Sequence, residues 1–177
     1  MYKKCILISS LFTLICSCSN NMQVDNFSSS KINTFQLKQD LRQKFAVASF
    51  SSKDKEFNEI PCRGLGIPGG LKLSLPNNES YVKYIENAFT ETLIDAERYD
   101  SNNSKHLQGK ITGIDFNSVS GNWNISGVFS LNKKNVVIDK KYPYPTAIEA
   151  QLACYNTAKS FKDVVSNFVM DVLKEVV

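Results

Sequence analysis

The feature that most constrains this chain lies at its C-terminal end. From Ala150 onward, apolar residues recur at spacings of three and four: Ala150, Cys154, Ala158, Phe161, Val165, Phe168, Val172 and Val176. That period predicts one long amphipathic helix running to the end of the chain. Thr146 and Glu149 have the spacing of a capping box at its start, after Pro145. About thirty residues at about 1.5 Å each reach about 45 Å, longer than a small sheet needs. Two readings of the stripe from Phe161 to Val176 stay open. It is an apolar strip left for a partner, or the segment before the domain, or its first strand, covers it.

Upstream, the periodicities supply something to pack against that helix. Phe45–Phe50 reads as a short first strand, residues 51–61 as a polar loop, and Cys62–Leu75 as an irregular crossing segment ending in extended chain. Tyr81, Ile85, Ala88, Phe89, Leu93 and Ala96 mark a second amphipathic helix, opened by Pro76-Asn77-Asn78 and ending near Tyr99. His106–Ser118 changes phase at Gly113, which predicts a β-bulge. Asn122–Leu131 alternates cleanly, and Val136–Tyr142 forms a last strand whose Lys140 and Lys141 suit an exposed edge. Two helices on one face of a largely antiparallel sheet make a two-layer α+β sandwich.

The first residues specify a destination rather than a fold. Lys3 and Lys4 precede Cys5–Ile15, an eleven-residue apolar run that is far short of the roughly 20 residues a membrane span requires. A charged start, a short apolar core and small residues after it predict a signal peptide over 1–17. Ile15-Cys16-Ser17-Cys18 resembles the lipobox of bacterial lipoproteins, which implies that Cys18 is lipidated and becomes the mature N-terminus. Ser19 after it implies the outer membrane, since Asp at that place tends to hold such lipoproteins at the inner one. A plain secreted protein cut near Ser17 or Ser19, or an uncleaved anchor, are the competing readings. Residues 18–43 then read as the lipidated cysteine and a polar tether, with part of 35–42 in a helical turn, and 44–177 as the periplasmic domain.

Removal of residues 1–17 leaves three cysteines, Cys18, Cys62 and Cys154. With Cys18 committed to lipid, Cys62 and Cys154 are the pair expected to form a disulfide in an oxidising compartment; two buried free thiols are the alternative. Neither has a catalytic setting.

Composition narrows the function classes. The chain carries 21 Lys+Arg against 17 Asp+Glu, a net charge of +4, and a single His. The excess is small and scattered, with one mildly basic stretch at Lys133, Lys134, Lys140 and Lys141, so no nucleic acid is expected as a partner. One His gives no metal-ligand set and no His-dependent triad, and neither metal nor cofactor is expected. Gly64–Gly69 matches G-x-G-x-x-G, but Pro68 interrupts it and no helix opens within it, so a sharply turning loop is the better reading. His106 reads as a strand-end residue and Asp115 as a carboxylate bonded to local backbone. Tyr142-Pro143-Tyr144-Pro145 is either a rigid connection or a recognition loop with aromatic anchors.

The whole pattern resembles small Gram-negative envelope lipoproteins, such as the LPS-assembly accessory lipoprotein and the auxiliary lipoproteins of ABC-type lipid transport. The likeness is carried over 45–177 by element order, by Tyr81, Tyr84, Ile85, Ala88, Phe89 and Leu93, and by Leu107-x-Gly109-x-Ile111-x-x-Ile114-Asp115-Phe116 with Gly121-x-Trp123-x-Ile125. It implies a lipid-anchored, non-catalytic protein of the outer membrane, facing the periplasm, that acts as an accessory or scaffold for another envelope protein. The alternative is a carrier holding an apolar ligand, such as a lipid tail, between helices and sheet.

Overall fold

The structure is a computed structural model and describes residues 21–53, 59–62 and 70–177. Its elements are β1 (Asn21–Gln23), α1 (Lys31–Asp40), β2 (Ala46–Val47), β3 (Ser51–Ser52), β4 (Glu59–Pro61), β5 (Lys72–Ser74), α2 (Tyr81–Asp95), β6 (His106–Asn117), β7 (Asn122–Leu131), β8 (Lys134–Pro143) and α3 (Ala150–Val176). The fold is α+β, as the periodicities predict. β6, β7 and β8 form an antiparallel meander, and β2 and β3 both pair with β6 in parallel, with α2 in the crossover. A second, small sheet has the order β1-β5-β4, with β1 parallel to β5.

The bulge in β6 falls where the phase changes. Ile111 pairs with Gly127 and Gly113 with Ser126, so Thr112 is the extra residue. Leu107 and Ile111 before it, and Phe116 after it, are therefore all buried on the inner face. The β7–β8 hairpin closes through Asn132 and Lys133 alone, both at positive φ, the geometry that matches strand twist.

Helix starts depart from expectation in an instructive way. Pro76–Asn78 form a 3-10 turn, and α2 is capped by Ser80, whose hydroxyl accepts the Lys83 N–H. The helix stops at Asp95 because Glu97 turns left-handed, with Arg98 N–H bonded to Leu93 O and Glu97 N–H to Ile94 O, a Schellman arrangement. The expected capping box at Thr146 and Glu149 does not form. Glu149 is itself the cap of α3, accepting from the N–H groups of Gln151 and Leu152 at 3.2 Å each. Thr146 instead donates its hydroxyl to the Ser118 carbonyl, and the helix begins only at Ala150.

Residues 21–43 are the principal correction. Their composition predicts a tether outside a domain starting near Lys44, yet Val24, Leu37 and Leu41 are buried in the common core. β1 joins the small sheet, and α1 lies on α2 and α3. Asn33 donates to Ser166 Oγ on α3 at 3.0 Å, and Arg98 Nε donates to the Leu41 carbonyl at 2.5 Å. The same finding decides the C-terminal stripe. Phe161, Val164, Val165, Phe168, Val169, Val172 and Val176 are all buried within the chain, so the strip is core rather than a partner surface, and α1 and β1 help to cover it.

Between helices and sheet the interior is filled by rings. Trp123 and Phe161 have centroids 4.5 Å apart, Phe116 and Trp123 4.8 Å, and Phe129 and Phe168 5.6 Å. Phe50 reaches this layer over Gly109, where an added Cβ would meet its ring at 2.9 Å.

Candidate functional site

Two connections meet at one end of the domain. In the β6–β7 turn, Asn117 Oδ1 accepts the N–H groups of Val119 and Ser120, both at 3.0 Å. This Asx arrangement closes with Gly121 at φ +65°, its N–H bonded to Asn117 O. The β8–α3 connection lies against that turn. Tyr144 N–H donates to Gly121 O at 2.8 Å, alongside the bond from Thr146 to Ser118. The approach is so close that a Cβ on Gly121 would sit 2.4 Å from Tyr144 O.

A buried polar set fixes this end to α3. The Thr157 and Tyr144 hydroxyls lie 2.6 Å apart, with the Ala153 carbonyl 2.8 Å from the first and the Asn117 carbonyl 3.3 Å from the second as further acceptors. Trp123 Nε1 donates to Thr157 O at 3.2 Å. Burial raises the Tyr144 hydroxyl above the usual tyrosine range, against the opposing effect of its bond to Thr157. Tyr142 is buried as well and donates to Asp171 Oδ2 at 2.9 Å. Tyr142-Pro143-Tyr144-Pro145 is thus the rigid connection, with both rings turned inward.

Above this set lies an open cleft of about 360 Å³. Val119, Ala147, Ile148, Ala150 and Ala153 supply its apolar lining, and Ser118 and Thr146 its polar edge. None of these side chains ionises, so the cleft offers contact area and no proton transfer. Four large apolar side chains, two in the cleft lining and two on the first turns of α3, are exposed. Ile148 is 107% exposed, Val119 63%, and Leu152 and Tyr155, in the first turns of α3, 46% each. Another apolar surface sits on α1, where Ile32 and Phe35 face outward. Ser29 contacts Asp95 there, and Lys38 meets Glu97 at 2.5 Å.

The expected site residues distribute as follows. Cys18 and the Gly64–Gly69 loop lie outside the described residues. Cys62 and Cys154 are brought together as a disulfide-compatible pair, with Cα atoms 5.9 Å apart and both residues buried. His106 and Asp115 are exposed on β6. Lys140 pairs with Asp171 at 3.1 Å across the sheet edge. Among the described residues no group of three metal-ligating side chains converges, and no helix is long and apolar enough to cross a membrane. Sequence reasoning missed Val119, Ile148, Leu152 and Tyr155. The one signal available was that Leu152 and Tyr155 are apolar yet fall off the stripe that α3 buries.

No family model and no curated protein sequence matches the chain. Its fold is similar to the crystal structure of a Xanthomonas campestris protein of family DUF330, with a TM-score of 0.52 at 9% identity, over 88% of this chain and 94% of that one. It is likewise similar to the crystal structure of an uncharacterized protein, with a TM-score of 0.51 at 9% identity, over 86% of this chain and 99% of that one. At such identity these likenesses establish the shared α+β fold across nearly the whole chain.

Proposed function

We propose that this protein is a lipid-anchored outer-membrane accessory protein, with Cys18 acylated after removal of residues 1–17 and a non-catalytic domain in the periplasm. The observation that carries the reading is Ile15-Cys16-Ser17-Cys18 at the end of a short apolar run. The disulfide-compatible pair of Cys62 and Cys154 supports an oxidising compartment. In this reading the domain is a scaffold that binds another envelope component. Support comes from exposed apolar side chains that the fold leaves over, Ile32 and Phe35 on α1 among them. The carrier alternative places an apolar ligand between helices and sheet, and the ring-filled interior favours the scaffold over it.

The experiment is an intact-mass measurement on protein extracted from membranes, followed by crosslinking in cells. Loss of residues 1–17 with added acyl mass, together with one reproducible crosslinked envelope protein, is the expected result. A Cys18→Ser protein that still matures and stays in the membrane would remove the reading. A stoichiometric lipid released from the domain's interior in native mass spectrometry would replace the scaffold by the carrier.

A further inference from the structure

We infer that the apolar end of the domain, formed by Val119, Ile148, Leu152 and Tyr155, rests on the lipid surface to which the chain is anchored. The inference depends on acylation of Cys18. It follows from how little chain separates that residue from the fold.

Asn21 opens β1, three residues after Cys18, and three extended residues span at most about 11 Å. A polar tether of two dozen residues would let the domain swing freely; this short connection cannot. Whichever end of the domain carries Asn21 is held against the headgroups.

Pairing identifies that end. Asn21 is in register with Lys72, and Lys72 with Pro61. Cys62 N–H bonds Leu71 O, and Cys62 meets Cys154 on the second turn of α3. Further along the same path, Lys159 binds Asp25 at 2.8 Å, so β1 runs back along α3 toward its N-terminus as the chain is followed from Asp25 to Asn21. The anchor therefore leaves the domain beside the start of α3, where Leu152 and Tyr155 are exposed and the cleft with Val119 and Ile148 opens.

The chemistry of that surface suits lipid. Apolar groups that enter the headgroup–acyl boundary need reach only about 5–10 Å into it. Tyr is favoured at that depth, because its ring is apolar and its hydroxyl stays hydrated. Glu149, the one acid beside the patch in sequence, has its carboxylate engaged by the Gln151 and Leu152 N–H groups.

The test uses the full-length acylated protein in vesicles of phosphatidylethanolamine and phosphatidylglycerol carrying a nitroxide-labelled lipid. An environment-sensitive fluorophore is placed, in separate proteins, on the cysteine introduced by Ile148→Cys, Leu152→Cys, Phe35→Cys or Val137→Cys. All four positions are exposed, so each variant should fold. Intact mass confirms the acyl chains in every sample. The expected result is a blue shift and loss of fluorescence to the nitroxide lipid at 148 and 152, with 35 and 137 open to aqueous iodide. Acylated protein in which 148 and 152 are as open to iodide as 137 overturns the inference and leaves the anchor intact. Shielding at 148 without nitroxide quenching, together with a doubled mass, overturns it in favour of self-association. Unacylated protein that washes off the vesicles removes the anchor and this inference with it.

Discussion

Asn33 on α1 donates its side-chain amide to Ser166 on α3, joining residues 133 apart in sequence. That bond, with Leu37 buried beside it, makes the N-terminal segment part of the hydrophobic core rather than a leash.

Removal of α1 should therefore be costly. A chain beginning at Lys44 should lose cooperative unfolding or melt well below the chain beginning at Asn21. Leu37→Ala should cost about 2–5 kcal/mol in urea unfolding, as large-to-small core changes do. Phe35→Ser, two residues away on the exposed face, should stay within about 0.5 kcal/mol. Equal effects at the two positions would argue against the packing described.

The pairing of Cys62 with Cys154 closes a segment with a sequence separation of 92. If the pair is oxidised in the native protein, reduction should lower stability by about 2–5 kcal/mol. Non-reducing peptide mapping checks the bond, and unfolding with and without reductant checks the magnitude. Two free thiols in protein taken from the envelope would contradict it.

Alkaline pH should unfold the domain through its buried tyrosines. Burial holds the Tyr81, Tyr84 and Tyr142 hydroxyls above the usual range; at Tyr142 the bond to Asp171 adds to the effect. The folded state thus keeps protons that the unfolded chain releases above its pKa of about 10. Their contribution is complete below that pH and is lost as pH rises beyond it, by up to about 1.4 kcal/mol per pH unit for each tyrosine. Urea midpoints, followed by Trp123 fluorescence between pH 8 and 12, should be flat at first and then fall. Tyr142→Phe should lower the plateau and make the fall shallower.

Gly121 should not tolerate a side chain. Gly121→Ala forces a Cβ to within 2.4 Å of Tyr144 O at a left-handed φ, where an L-residue already costs about 1–2 kcal/mol. Thermal melting should show a loss of at least that size. Gly70→Ala has the same sign of φ but open space around it, so it should cost only the conformational part.

What could be read from the sequence was whatever a period enforces. The α3 stripe, the alternation of β7 and the phase slip at Gly113 each follow from many side chains sharing one face, and the structure has all three, the slip with Thr112 as its extra residue. α1 escaped because its period is weak: Thr34 and Leu37 are its buried residues, whereas its large apolar Ile32 and Phe35 face outward. Thr146 has the spacing of a cap, but spacing does not register that its hydroxyl is taken by a carbonyl 28 residues earlier. The apolar end was illegible for a similar reason. Val119 and Ile148 belong to different connections, and hydrogen bonds around Gly121 and Tyr144, rather than any local pattern, set them side by side.

The seat of α1 on α3 also sets an order of events during synthesis. β1 and α1 are synthesised before α3, but the surface they dock against includes that 27-residue helix. Until that helix is complete, Val24, Leu37 and Leu41 have no finished core to enter. Contacts of such long sequence separation form late and slow folding. The N-terminal segment therefore takes its final place only once α3 is there to receive it.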